Sequence, residues 1–144
     1  MAKSAAKSAK KPAKGFTKEE RAAMRDRAAE AKGGAEGEAV VLAKLASLLP
    51  PDRALGERLH ALIKASAPAL TPRLWYGMPA YARGGDTICF FQPAQRFKTR
   101  YATLGFSDKA KLDDGNLWPT YYALKQLDAT AEAKILALLV KALG

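Results

Sequence analysis

Cysteine is nearly absent. A single one, Cys89, occurs in 144 residues, so no intramolecular disulfide can form and a stapled secreted scaffold is excluded. A reducing, cytoplasmic setting is the expected one. Histidine is as scarce: His60 stands alone, with no CxxC, HxxxH or His-carboxylate spacing around it or Cys89, so a tetrahedral zinc site has no ligand set. One histidine and no Gly-x-Ser-x-Gly elbow leave serine chemistry without a recognisable base and orienting partner. The pair Gly84-Gly85 is two residues of turn, short of a phosphate-binding loop. Long apolar runs are also missing. No stretch approaches the roughly 18 residues of a membrane span, and the lysine-rich start has no apolar segment of the signal-peptide kind, so a soluble chain with no membrane partner is expected.

Acidic residues are outnumbered, 14 to 24, for a formal charge of +10. Half of that excess sits in the first 15 residues, where Lys3, Lys7, Lys10, Lys11 and Lys14 meet no acid. The remainder is only mildly basic. Residues 1–15 consist of Met, Ala, Lys, Ser, Pro and Gly, with almost nothing bulky to bury, and read as a disordered Lys/Ala-rich tail suited to weak, non-specific contact with nucleic acid.

What is present is two kinds of periodicity. Thr17-Lys18-Glu19-Glu20 has the spacing of a capping box and opens a helix in residues 16–35 whose mostly alanine stripe predicts loose attachment. The domain proper spans 36–144. From Glu38 to Leu49, Val41, Leu42, Leu45, Leu48 and Leu49 form one helical stripe that Pro50-Pro51 stops. Asp52 is placed to cap the next helix, with Leu55, Leu59, Leu62 and Ile63 recurring until Pro68. After Pro72 the period shortens. Strand-like segments follow around 74–76, 80–82, 87–91, 97–106 and 120–124, with Gly84-Gly85-Asp86 as a hairpin turn. Ser107 is expected to cap a single helical turn through Leu112. A last helix from about Thr130 presents Leu136, Leu139, Val140 and Leu143. The predicted class is α+β, an antiparallel sheet packed against N-terminal helices and one C-terminal helix.

The run Leu74-Trp75-Tyr76-Gly77-Met78-Pro79-Ala80-Tyr81, then Cys89-Phe90-Phe91-Gln92, Tyr101-Ala102-Thr103-Leu104-Gly105-Phe106 and Trp118-Pro119-Thr120, resembles the YdhG-like family of bacterial domains of unknown function. The resemblance covers roughly residues 36 to 143. It implies a compact α+β domain, and through a branch described as a frataxin-like intracellular iron chaperone it implies iron handling. No ligand motif comes with it.

Three groups of residues are candidates for a site. Gly77 and Pro79 constrain the backbone around Trp75, Tyr76, Met78 and Tyr81, which are predicted to wall a ligand pocket with Arg73 or Arg83 orienting an anion at its mouth. Their plainer role is to pack sheet against helices. Arg96, Lys98 and Arg100 form a basic stripe at strand spacing, suited to phosphate or to protecting a sheet edge; alternation turns Phe97 and Tyr101 to the other face. Asp108, Asp113 and Asp114 surround a turn, and Glu36, Glu38, Asp52 and Glu57 gather near helix starts. Either group offers hard oxygen ligands to iron, or simply capping and solvation. His60 is expected at the polar edge of its helix and Cys89 as a small buried side chain. The expected function is a non-enzymatic binding module for iron or a small anionic ligand. The alternative is a nucleic-acid-associated protein using the tail and the Arg96/Lys98/Arg100 stripe.

Overall fold

A computed structural model describes residues 17–21 and 37–144. The tail and most of the expected helix in residues 16–35 lie outside the described residues. Within them, residues 18–21 are helical (α1), and the capping box closes as the sequence predicts: Thr17 N–H donates to Glu20 Oε1 at 2.7 Å, while Glu20 N–H donates to Thr17 Oγ1 at 3.0 Å.

The domain begins with α2 (Glu38–Ala46), entered through Gly37, whose φ of 99° is open to glycine and whose N–H donates to the Pro72 carbonyl at 2.9 Å. This bond sets the helix start against the first strand. The helix stops three residues earlier than predicted. At Ser47 the hydroxyl returns to the Lys44 carbonyl at 2.6 Å, competing with the ladder before the prolines are reached. The next helix, α3 (Asp52–Ser66), buries Leu59 and Ile63 as expected. Asp52 does something else. Pro51 occupies the cap position, and the buried Asp52 carboxylate accepts from the Ala94 and Gln95 amides at 3.2 and 2.8 Å. It caps a distant helical turn, α4 (Ala94–Phe97), so the aspartate pins two elements together.

Five strands form an antiparallel meander in chain order: β1 (Thr71–Trp75), β2 (Met78–Arg83), β3 (Asp86–Gln92), β4 (Ala102–Phe106) and β5 (Tyr121–Leu124). The molecule is thus α+β, with helices before the sheet and α5 (Ala129–Leu143) after it. Tyr76 and Gly77, both at positive φ, make the two-residue turn between β1 and β2, the conformation that matches strand twist. Gly84 and Gly85 do the same between β2 and β3.

The expected strand at 97–106 is corrected at its first half. Pro93 leads into α4, Asp52 holds that helix's amides, and Lys98 at φ 58° ends it in the left-handed region, leaving only Ala102–Phe106 as strand. The Arg/Phe/Lys/Thr alternation imitated a strand without a partner to pair with. Ser107 caps only a turn, its Oγ accepting from Lys109 N–H at 3.1 Å; no helix follows among 108–112. In α5, Asp128 caps by accepting from Ala131 N–H at 2.8 Å, but the buried stripe is Ile135, Leu139 and Ala142. Leu136 and Val140 face outward, Val140 at 73% exposure. The helix is apolar on nearly every side, so period alone did not select its inner face.

The helices cover one face of the sheet. Val41, Leu45, Leu59, Ile63, Leu139 and the inward residues Tyr81, Cys89, Phe91, Leu104 and Phe106 form one core. Arg58 of α3 grips Glu132 of α5 through two bonds, 2.6 and 2.9 Å, tying the helices across that layer. The other face carries a smaller cluster of Met78, Ala80 and Phe90 with Trp75.

Candidate functional site

Strand alternation divides the predicted pocket. Trp75 and Met78 are opposed in register on the outer face, whereas Tyr81 points into the main core. Trp75 lies against Phe90 at 5.3 Å and edge-on to Tyr76 at 5.0 Å between ring centres, and Tyr76 itself is half exposed at the turn. The two arginines are engaged elsewhere. Arg73 Nη2 donates to Thr87 Oγ1 at 2.6 Å, and Arg83 Nη1 donates to the Leu143 carbonyl at 3.0 Å near the end of α5. The pocket of Arg73, Trp75, Tyr76, Met78, Tyr81 and Arg83 is therefore not one cavity: a period of two cannot turn all four large side chains to one side.

Tyr81 has a polar setting within the core, and it brings new partners. Its hydroxyl is 2.9 Å from His60 Nδ1; His60 Nε2 is 2.9 Å from Glu38 Oε2; and the other Glu38 oxygen meets Lys64 Nζ. Tyr81 and His60 are 2% and 4% exposed, so two polar rings are held inside the domain. His60 is thus no polar edge. It continues the buried stripe of α3, Asp52, Gly56, Leu59, His60 and Ile63, at helical spacing, a signal present in the sequence that its polarity obscured.

The electrostatics fix the direction of each bond. Lys64 first, and His60 next, hold the Glu38 carboxyl below its ordinary range, so it is ionised and accepts from His60 Nε2–H. In the tautomer that carries its proton on Nε2, Nδ1 is an acceptor, and the Tyr81 O–H donates to it. Burial, with Cys89 and Glu38 nearby, pushes the Tyr81 hydroxyl upward and keeps it neutral. Every member has a partner, the condition under which a buried polar chain is tolerated. The chain runs to the surface beside a cavity of about 290 Å³ bordered by Lys64, Thr71 and Tyr81 with Ile63, Leu70 and Pro72 as apolar wall.

Cys89 faces Tyr81 across β2 and β3 and is wholly buried, as expected. Burial pushes its thiol up to about 12, which keeps it out of nucleophilic use near neutrality.

The basic triplet is not a strand face. Arg96 lies in α4, Lys98 is the left-handed residue after it, and Arg100 precedes β4. Instead of being separated from aromatics, Arg96 sits 5.7 Å from the Phe97 ring centre and Arg100 sits 5.2 Å from that of Tyr101. Lys98 also reaches Glu19 at 3.6 Å, a link from the domain to α1. Asp108, Asp113 and Asp114 are exposed around the turn. Of the other acids, Glu38 serves His60 and Lys64, Asp52 caps α4, Glu57 pairs with Arg53 at 3.2 Å, and Glu36 lies outside the described residues. Among the described residues no three His, Cys, Asp or Glu side chains are grouped to hold a metal ion, and no helix is long and apolar enough to cross a membrane.

Comparison with family models, curated proteins and solved structures finds no match for this chain.

Proposed function

We propose that the protein is a non-enzymatic binding module, in keeping with its resemblance to the YdhG-like family, and that it holds a small anion with an apolar body in the cavity beside Tyr81. The carrying observation is the Tyr81–His60–Glu38 chain, which ends at Lys64 on the rim of that same cavity. An ammonium has three donors, and Glu38 takes one direction only, leaving Lys64 able to meet a ligand carboxylate. Thr71 supplies a hydroxyl. Tyr81, at the inner end of the chain, forms part of the same cavity wall. The resemblance also implies iron; the separation of the acids favours the anion.

The test is a melting-shift and calorimetric titration with benzoate, acetate, inorganic phosphate and ferrous ion. Benzoate is expected to bind best. Tyr81→Phe is expected to weaken binding by undoing the chain that positions Glu38 and Lys64, and Lys64→Met to weaken it about tenfold, the loss of one charge-assisted bond. Benzoate binding that ignores both substitutions, or none at all, overturns the reading. A second reading, contact with single-stranded nucleic acid, is supported by the Arg96–Phe97 and Arg100–Tyr101 pairs, which put cation and stacking ring together. An oligothymidylate included in the same titration tests it: a salt-sensitive shift lost in Arg100→Ala/Tyr101→Ala supports it, and no shift sinks it.

A further inference from the structure

A mostly apolar recess lies at the β5 edge of the sheet, away from β1 and β2, which border the Tyr81 cavity. Between β5 and α5 runs a groove of about 480 Å³ whose floor and walls include Leu104, Tyr122, Leu124, Ile135 and Leu138. Its origin is in the sequence. β5 is the last strand of the meander, with no sixth strand beside it among the described residues, and α5 crosses there with alanines, Ala131 and Ala137, where bulkier residues would close the gap. Lys134 and Lys141 stand on the same lip, two turns and about 10 Å apart along the helix.

The groove continues into a more polar basin of about 550 Å³, and the two share Ala123, Leu124, Ala131 and Lys134. Lys125, Gln126 and Thr130 border the basin. Its one acid, Asp128, is committed to the Ala131 amide as the cap of α5. An apolar trough thus opens at one end onto a place with two lysines, a hydroxyl and an amide. Chemistry and charge specify an occupant with an apolar chain and an anionic head. The trough is within the size range of small-molecule sites, which are mostly apolar with a few placed polar groups.

We infer that the groove between β5 and α5 is a binding site for a single-chain amphiphilic carboxylate, its chain along Leu124, Ile135 and Leu138 and its head at Lys134 and Lys125. The head sits at the basin end because the polar groups converge there. Lys141 at the far end covers the chain with its methylene stem and keeps its ammonium in water. The site is separate from the Tyr81 cavity: no lining residue is shared.

The test uses the full chain with dodecanoate below its micelle concentration, dodecyltrimethylammonium as the same chain with the opposite head, and acetate as the head without a chain. Calorimetry is expected to show one saturable dodecanoate site and no comparable site for either control. Lys134→Glu, at an exposed position, is expected to weaken dodecanoate about tenfold or more through lost attraction and added repulsion. Ala137→Trp, also exposed, is expected to fill the trough and abolish binding while the melting temperature of the free protein stays near wild type. Tyr81→Phe and Lys64→Met should leave dodecanoate untouched, which separates this site from the one above. Equal binding of both head groups, no binding, or binding indifferent to Lys134→Glu and Ala137→Trp overturns the assignment. Concentration-dependent dimerisation abolished by Ala137→Trp, without dodecanoate binding, gives the groove to a second copy of the chain and overturns it as well.

Discussion

Phe90 and Phe91 are adjacent in the sequence and live in different surroundings. Phe91 enters the core between sheet and helices, whereas Phe90 lies on the opposite face among Trp75, Met78 and Ala80. The inner face is buried by helices. The outer face is buried by itself: a cross-strand row runs Arg73, Ala80, Phe90, Gly105 and Tyr121, and the Phe90 ring rests on Gly105 with Tyr121 edge-on at 5.5 Å. Small residues beneath and rings above leave Phe90 only 3% exposed. The comparison shows that alternation assigns side chains to faces, and what covers each face decides their energetic weight. It also explains where the polar chain can exist. Only the helix-covered face brings His60 and Glu38 down onto a strand residue, Tyr81, and satisfies every donor there.

The largest effect expected is at the inner face. Phe91→Ala should cost about 3–5 kcal/mol in urea unfolding, the price of an aromatic removed from a packed core. Tyr121→Ala, at the 63% exposed end of the outer row, should cost about 1 kcal/mol or less. Comparable losses at the two positions would break the distinction between a helix-covered and a self-covered face.

A second substitution sharpens the account of the outer face. A Cβ at Gly105 would stand 2.3 Å from Phe90 Cζ, so Gly105→Ala must lift the ring that covers the row. The expected loss is about 1–3 kcal/mol, as for other overpacked sites. Adding Phe90→Leu should make the alanine better tolerated than it is alone. A neutral Gly105→Ala would mean that the ring does not rest on the glycine.

Much of this architecture is legible in the sequence, and the limits are physical. The capping box at Thr17, the Gly84-Gly85 turn and the change of period after Pro72 are local codes, and each is realised locally. Asp52 shows the opposite case: an aspartate beside a helix start satisfies amides wherever they come nearest, and here those belong to Ala94 and Gln95. The segment 96–100 carries strand alternation, yet pairing, and not alternation, makes a strand. At the candidate site, Tyr81 was visible as part of an aromatic segment. Its partners were not, because Glu38, His60 and Lys64 come from two helices whose approach depends on packing. The four-residue spacing from His60 to Lys64 and the buried stripe of α3 were the only advance signs.

The smallest effect expected bears on that inner chain and on what holds its outer end. Glu38 is only partly buried, so its bonds to Lys64 and His60 are screened by solvent and salt, and the stabilisation is modest. Its sign is definite. The folded carboxyl titrates below the ordinary value of 4.5, chiefly because of Lys64 and secondarily because of His60. An acid whose folded value is depressed contributes stability that is fully present above its unfolded value and is lost as pH falls through the folded one. Glu38→Gln removes the ionisable group and presents Lys64 with an amide, so the variant should melt below wild type near neutrality. The gap should narrow below about pH 4.5 as the wild-type carboxylate takes up its proton. Added salt at neutral pH should narrow it too, since part of the interaction is ionic. Melting curves recorded across this range in low and high salt decide the matter. A gap that stays constant with both pH and salt would show that Glu38 holds His60 by shape alone, and would take charge out of the chain's outer end.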